Sequence, residues 1–175
     1  MILTDDNFKT IVSAVEVGRT VYSNIKKSIT YLFAGNLGAI IAILFAVFVG
    51  WSNPFTALQL LFINLINDSL PAIALGLEPA EKNIMSEKPR DINEGILQGG
   101  TWQAVLLRGV IIGIVVILAQ YIGNKVSPEL GAAMAFSTVT IARIFQTLPA
   151  RSDKVTAFKL GVFKNIYAIG AIIIC

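Results

Sequence analysis

The sequence predicts an all-α fold, a polytopic membrane helix bundle, and three observations carry that prediction. Of the 175 residues, 55% are hydrophobic and only 14% are charged, with a mean hydropathy of +0.71. An ordinary soluble domain is about 45–50% apolar and about 25% charged. The excess is gathered into uninterrupted runs of about twenty residues, the length that crosses a bilayer as a helix. Short polar connections carrying Pro, Lys and Arg separate the runs. The absence of His disfavours zinc or haem sites, and the lone Cys175 excludes an internal disulfide. A net charge of +3 is small, and nothing points to a nucleic-acid partner.

The first element covers residues 4–28, TDDNFKTIVSAVEVGRTVYSNIKKS. Thr4 or Asp5 suits an N-cap, and Phe8, Ile11, Val12, Val15, Tyr22 and Ile25 recur at helical spacing. It is not a signal peptide, lacking a basic start followed by an apolar core. The expectation is a cytosolic amphipathic helix. Since no proline interrupts Thr4 to Asn53, it can continue into the first span as a rigid stalk. That span, Ile29–Trp51, is uncharged and holds Gly35, Asn36 and Gly38. Small residues let helices approach closely in a bilayer. Asn36 either ligates an ion or simply hydrogen-bonds a neighbouring helix.

Trp51-Ser52-Asn53-Pro54 is a short connection to the second span, about Phe55–Leu77. Inside it, Leu60–Ala72 reads LLFINLINDSLPA. Asp68 is the one acidic residue within an apolar span of this sequence. A carboxylate in hydrocarbon is costly, so a functional reading is the default. Asn64, Asn67 and Asp68 are spaced i, i+3, i+4, which shares one face of an α-helix. Their oxygens suit a hard cation such as Ca²⁺. Pro71 removes a helical hydrogen bond and frees backbone carbonyls close to Asp68. Broken helices at membrane depth are tolerated where they line a cavity or an ion site.

Residues 78–95, EPAEKNIMSEKPRDINEG, form a polar loop. The third span, about Gly99–Ile122, holds Arg108 in its first half, near enough to the interface to snorkel. The fourth, about Leu130–Leu148, holds Arg143; residues 149–159 are again polar, and a fifth span starts near Leu160. The apolar run from Phe163 to Cys175 is shorter than the roughly 20 residues a span needs. The expectation is a piece cut inside its last transmembrane helix. Twelve of the fourteen Lys and Arg fall at residues 1–28, near the 78–98 connection or near the 149–159 connection. The positive-inside rule therefore places residues 1–28, 78–98 and 149–159 in the cytosol.

Four stretches together resemble one family. LTDDNFKTIVSAVEVGRTVYSNIKKSITYL from Leu3, AGNLGAI from Ala34, LLFINLINDSLPAIALGLEPAEKNIMSEKPR and MAFSTVTIARIF from Met134 are similar to the C-terminal membrane region of P-type cation ATPases, above all the sarcoplasmic-reticulum-type calcium pumps. The resemblance implies that residues 1–28 are the end of the phosphorylation domain plus a stalk helix. Residues 29–175 would be transmembrane helices five to eight and the start of nine. Helices one to four and the cytosolic domains would be a missing N-terminal part of the same pump, and Met1 an internal residue. No DKTGT, P-loop, GxGxxG or HExxH motif occurs, so ATP and Mg²⁺ belong to the full-length pump only.

The resemblance also assigns roles. Asn36, Asn64, Asn67 and Asp68 match metal-ligand positions, with Asn67 where the family has Thr. Two positions depart from the pattern. Ala39 stands where calcium pumps have a fifth-helix Glu, a lost ligand, and Arg143 stands where two-ion pumps have an eighth-helix Glu. The expectation is one Ca²⁺ per cycle, with Arg143 a built-in counter-charge that approaches Asp68 when Ca²⁺ leaves. The alternative has Arg143 bonded to carbonyls or snorkelling to the cytosolic face. Other readings are a P-type pump for Mn²⁺, H⁺ or Na⁺, a non-ATPase helical carrier, and a purely structural bundle. A single Cys and a short eighth-helix region point to a bacterial plasma membrane.

Overall fold

The computed structural model describes residues 8–81, 84–86, 95–98, 100–152 and 165–175, and these are helical with no strand among them. Thr4, Asp5 and most of the basic residues of the two polar connections lie outside the described residues. Helix α1 runs unbroken over Phe8–Val49, 42 residues. At 1.5 Å per residue that is about 63 Å, twice the roughly 30 Å of a hydrocarbon core. No described residue before Asn24 is buried. The apolar residues Phe8, Ile11, Val12 and Val15 point outward, since none of the described residues packs over them. From Asn24 onward a narrow stripe of Thr30, Tyr31, Ala34, Gly35, Gly38, Ala39, Ala42 and Ala46 faces the bundle. The helix ends in a Schellman motif, with Gly50 at φ 75° and the Gly50 and Trp51 amides donating to Val47 O and Ala46 O.

The second span is broken. Thr56 and Gln59 form a capping box that starts α2, Ala57–Phe62. A π-helical turn, Ile63–Asn67, follows, closed by the Asp68 amide donating to Ile63 O at 2.8 Å. Helix α3 then covers Ser69–Gly76. A 3₁₀ turn, Ile84–Ser86, leads towards α4, Thr101–Asn124. Helix α5, Pro128–Ala150, begins with Ser127 as N-cap and Pro128 in the first turn. Helix α6, Ile166–Ile174, is capped by Asn165 Oδ1, which accepts from the Tyr167 and Ala168 amides at 3.0 Å each.

Three described stretches are long and apolar enough to cross a membrane: α1, the broken α2–α3 unit and α4. Helix α5 has the length, but it carries Arg143, Gln146 and Thr147 inward and falls below the others in apolarity. Glycines set the spacing of the bundle. A Cβ on Gly38 would lie 2.6 Å from Ile112 Cγ2, and one on Gly109 would lie 2.8 Å from Leu37 Cδ2, so α1 and α4 meet nearly backbone to backbone. Ala39, Ala42, Phe55, Ile63, Ile112, Val116, Ala135 and Val139 make the apolar core between α1, α4, α5 and the second span. Large side chains such as Phe48, Leu58, Leu107, Ile114 and Phe145 are exposed. A soluble monomer rarely shows that much apolar surface, and such a surface suits a membrane helix bundle. Trp51 stacks on Tyr121 at 6.1 Å and Lys125 lies over the Tyr121 ring, as residues at a membrane interface do.

Candidate ion site

Asp68 follows the π-helical turn directly and is 3% exposed. A π turn shifts the helical phase, and this has a direct consequence for the predicted polar face. Asn67 and Asp68 point inward, buried, whereas Asn64 is exposed. The wider turn moves Asn67 away from Asn64 around the axis but leaves Asn64 and Asp68, four residues apart, on neighbouring sides; Asn64 is exposed among the described residues. The Asn64 backbone carbonyl accepts from Ser69 Oγ at 3.2 Å.

Pro71 lies in the first turn of α3 and has no N–H to give. The Asn67 carbonyl, four residues back, accepts from the Tyr31 hydroxyl of α1 at 3.3 Å. A side chain thus takes up a carbonyl that proline leaves free. Both atoms of the Asn67 side-chain amide are buried with no hydrogen-bond partner.

Arg143 reaches into this region from α5 and is 1% exposed. Its Nη1 donates to Asp68 Oδ2, and its Nη2 donates to Asn36 Oδ1 at 3.1 Å. Gly35 makes the space: a Cβ there would stand 3.1 Å from both Cζ and Nε of Arg143. Arg143 neither snorkels nor relies on carbonyls; it is held between Asn36 on α1 and Asp68 on the broken span. Asp68 Oδ1, Arg143 Nε and both amide atoms of Gln146, one turn further along α5, are buried with no hydrogen-bond partner. Ala39 sits one turn from Gly35, 5% exposed, inside the apolar core with Val116 and Val139. Of the six positions singled out in the sequence, the structure joins Asn36, Asp68 and Arg143 directly. It keeps Asn67 beside them, buries Ala39 in apolar packing and leaves Asn64 exposed among the described residues.

The donor set consists of carboxylate and amide oxygens, the ligand type of hard cations such as Ca²⁺, which takes 6–8 oxygens. No group of three His, Cys, Asp or Glu that could hold a metal occurs among the described residues. An ion at Asp68 would therefore draw mostly on neutral oxygens.

A second polar cluster escaped the sequence reading. Glu78, just past α3, is 6% exposed and takes Nε and Nη2 of Arg151, whose side chain is fully buried. Asn165 Nδ2 donates to Glu78 Oε2 and to Ala74 O at 3.1 Å. Asn24 Nδ2 donates to Glu78 O at 2.6 Å and Gly76 O at 3.2 Å. In sequence, Glu78 and Arg151 look like ordinary loop charges, because nothing local reports that they meet.

Comparison with known proteins matches this architecture. Residues 52–175 fit the family model described as "Cation transporting ATPase, C-terminus". Over the whole chain, 68% of residues are identical to a calcium-transporting ATPase of Listeria monocytogenes and 61% to calcium-transporting ATPase 1 of Lactococcus lactis. A calcium-transporting ATPase of Bacillus subtilis is 39% identical over 99% of the chain. The chain spans about a fifth of the length of each of these relatives. The chain belongs to the C-terminal membrane region family of the cation-transporting P-type ATPases.

Proposed function

We propose that this chain is the membrane part of an ATP-driven Ca²⁺ exporter and carries half of one buried Ca²⁺ site. The observation that supports this reading most is the Arg143–Asp68–Asn36 cluster. Asp68, Asn36, Asn67 and Asn64 are the proposed ligands. Arg143 is the counter-charge, neutralising Asp68 when no ion is bound and withdrawing when Ca²⁺ arrives. Asn64, exposed among the described residues, would face the ion from the side that the rest of the pump completes. The remaining oxygens would come from the rest of the pump.

One Ca²⁺ per cycle follows from charge and packing. Ala39 offers no ligand and is packed among apolar side chains. A second divalent ion about 5 Å from the guanidinium would meet a repulsion of about 7 kcal/mol at an effective dielectric of about 20, a penalty of about 10⁵ in affinity. Measuring Ca²⁺ transported per ATP hydrolysed by the full-length pump tests the reading. The expected ratio is one, and a ratio of two refutes it. Transport assays with Mn²⁺, H⁺ and Na⁺ as competitors distinguish the other P-type readings. ATP and Mg²⁺ would act on the N-terminal part of the pump.

Coupling is proposed to pass through α1 and the connection after α3. Arg19 donates to Ile84 O at 2.9 Å, Lys27 pairs with Glu81 at 2.8 Å and Ser28 donates to Ala72 O at 2.9 Å. A displacement of the stalk half of α1 is thereby carried to α3 and on to Asp68. The bacterial relatives support a plasma-membrane location in a bacterium.

A further inference from the structure

We propose that Glu78 and Arg151 are positioning residues that fix the register of α3 against α5, and so hold Asp68 opposite Arg143. Two acid–arginine pairs join the same two elements. Asp68 meets Arg143 at the start of α3, and Glu78 meets Arg151 just past its end. Both arginines project from α5 or its C-cap, eight residues apart, and both acids flank α3, ten residues apart. At 1.5 Å per residue these separations are about 12 Å and about 15 Å, so the pairs form two rungs between neighbouring segments.

The need for a second rung lies in α3 itself. It has eight residues, follows a π-helical turn and leads into an irregular connection. So short a helix has little intrinsic stability and takes its place from tertiary contacts. The contacts converge on Glu78: Arg151 from α5 and Asn165 from the N-cap of α6 on its carboxylate, and Asn24 from α1 on its carbonyl. Arg151 engages through a fork, which constrains direction as well as distance. A buried ion pair is poor value as mere stabilisation, because apolar residues of similar volume usually serve as well or better. Fixed geometry is what it supplies here. Its consequence for the ion rests on the reading of Asp68 as an ion ligand. When the Asp68–Arg143 rung opens to admit an ion, the Glu78–Arg151 rung keeps α3 docked, so Arg143 can return to the same partner.

The test uses the full-length pump on a cysteine-free background, spin-labelled at the exposed positions Leu77 and Phe145, all in the ion-free state. Inter-label distances are compared for the parent, Glu78→Gln, Arg151→Met and the double variant Glu78→Leu/Arg151→Met, alongside thermal unfolding midpoints. The expected result is a single narrow distribution in the parent and a broadened or shifted one in both single variants, with lowered midpoints. In the double variant the midpoint recovers, since no charge is left unpaired, while the distribution stays broad. An unchanged distribution in the single variants, or a double variant that recovers both properties, overturns the proposal. Failure of the pump to bind Ca²⁺ would overturn the proposed function and leave these ion-free comparisons intact.

Discussion

Gly35→Ala isolates the competition between Arg143 and a bound cation for Asp68. The added methyl would lie 3.1 Å from Cζ and Nε of Arg143 and 3.3 Å from Nη1, so the guanidinium must give by a few tenths of an ångström. The displaced fork is the one that donates to Asp68 and Asn36. A charge-assisted hydrogen bond is worth about 1.5–3 kcal/mol, and partial misalignment forfeits about 1 kcal/mol of it. Replacing Gly by Ala within a helix returns about 0.5–1 kcal/mol, so net stability changes little. If Arg143 competes with the ion, weakening its hold by about 1 kcal/mol raises apparent Ca²⁺ affinity about fivefold. The assay is Ca²⁺-dependent phosphorylation of the full-length pump, with unfolding midpoints measured in parallel. Unchanged affinity with an unchanged midpoint would refute the claim that Arg143 and Ca²⁺ share one carboxylate.

Gly38→Ala is expected to act on packing alone. Its methyl would sit 2.6 Å from Ile112 Cγ2, and overpacking of this kind costs about 1–3 kcal/mol, read as a lower unfolding midpoint. Tyr31→Phe removes the donor to Asn67 O beside Pro71 and leaves a buried carbonyl unpaired, at a cost of about 1–3 kcal/mol, seen as faster amide exchange over residues 67–72. Thr56→Ala removes the capping box that starts α2 and costs about 1 kcal/mol, with exchange protection lost first at the Gln59 amide.

Much of the bundle was legible because membrane helices are written in runs. The break in the second span was anticipated from Pro71, yet its form was not. Proline accounts for the free Asn67 carbonyl that Tyr31 takes, while the helix departs from α geometry earlier, at Ile63–Asn67. Nothing in INLIN distinguishes a π turn from an α turn, because the two differ by a one-residue shift in the hydrogen-bond acceptor and tertiary contacts decide it. Around it, Asn67 and Asp68 are buried and Asn64 is exposed among the described residues.

Arg143 and Arg151 show the same boundary from the other side. In the sequence, Arg143 declares itself, because an arginine in an apolar run must find a partner and Asp68 is the one intramembrane acid on offer. Arg151 gives no such signal, since it stands in a polar connection where a cation costs nothing. Only the fold reveals that Arg151 is the more completely enclosed of the two and faces a carboxylate as Arg143 does. Burial of a charge in a connection is thus as demanding as burial within a span, and harder to read. A charge in hydrocarbon is conspicuous against its neighbours in the chain, whereas a charge enclosed by the ends of α3, α5 and α6 and the side of α1 is conspicuous only against its neighbours in space.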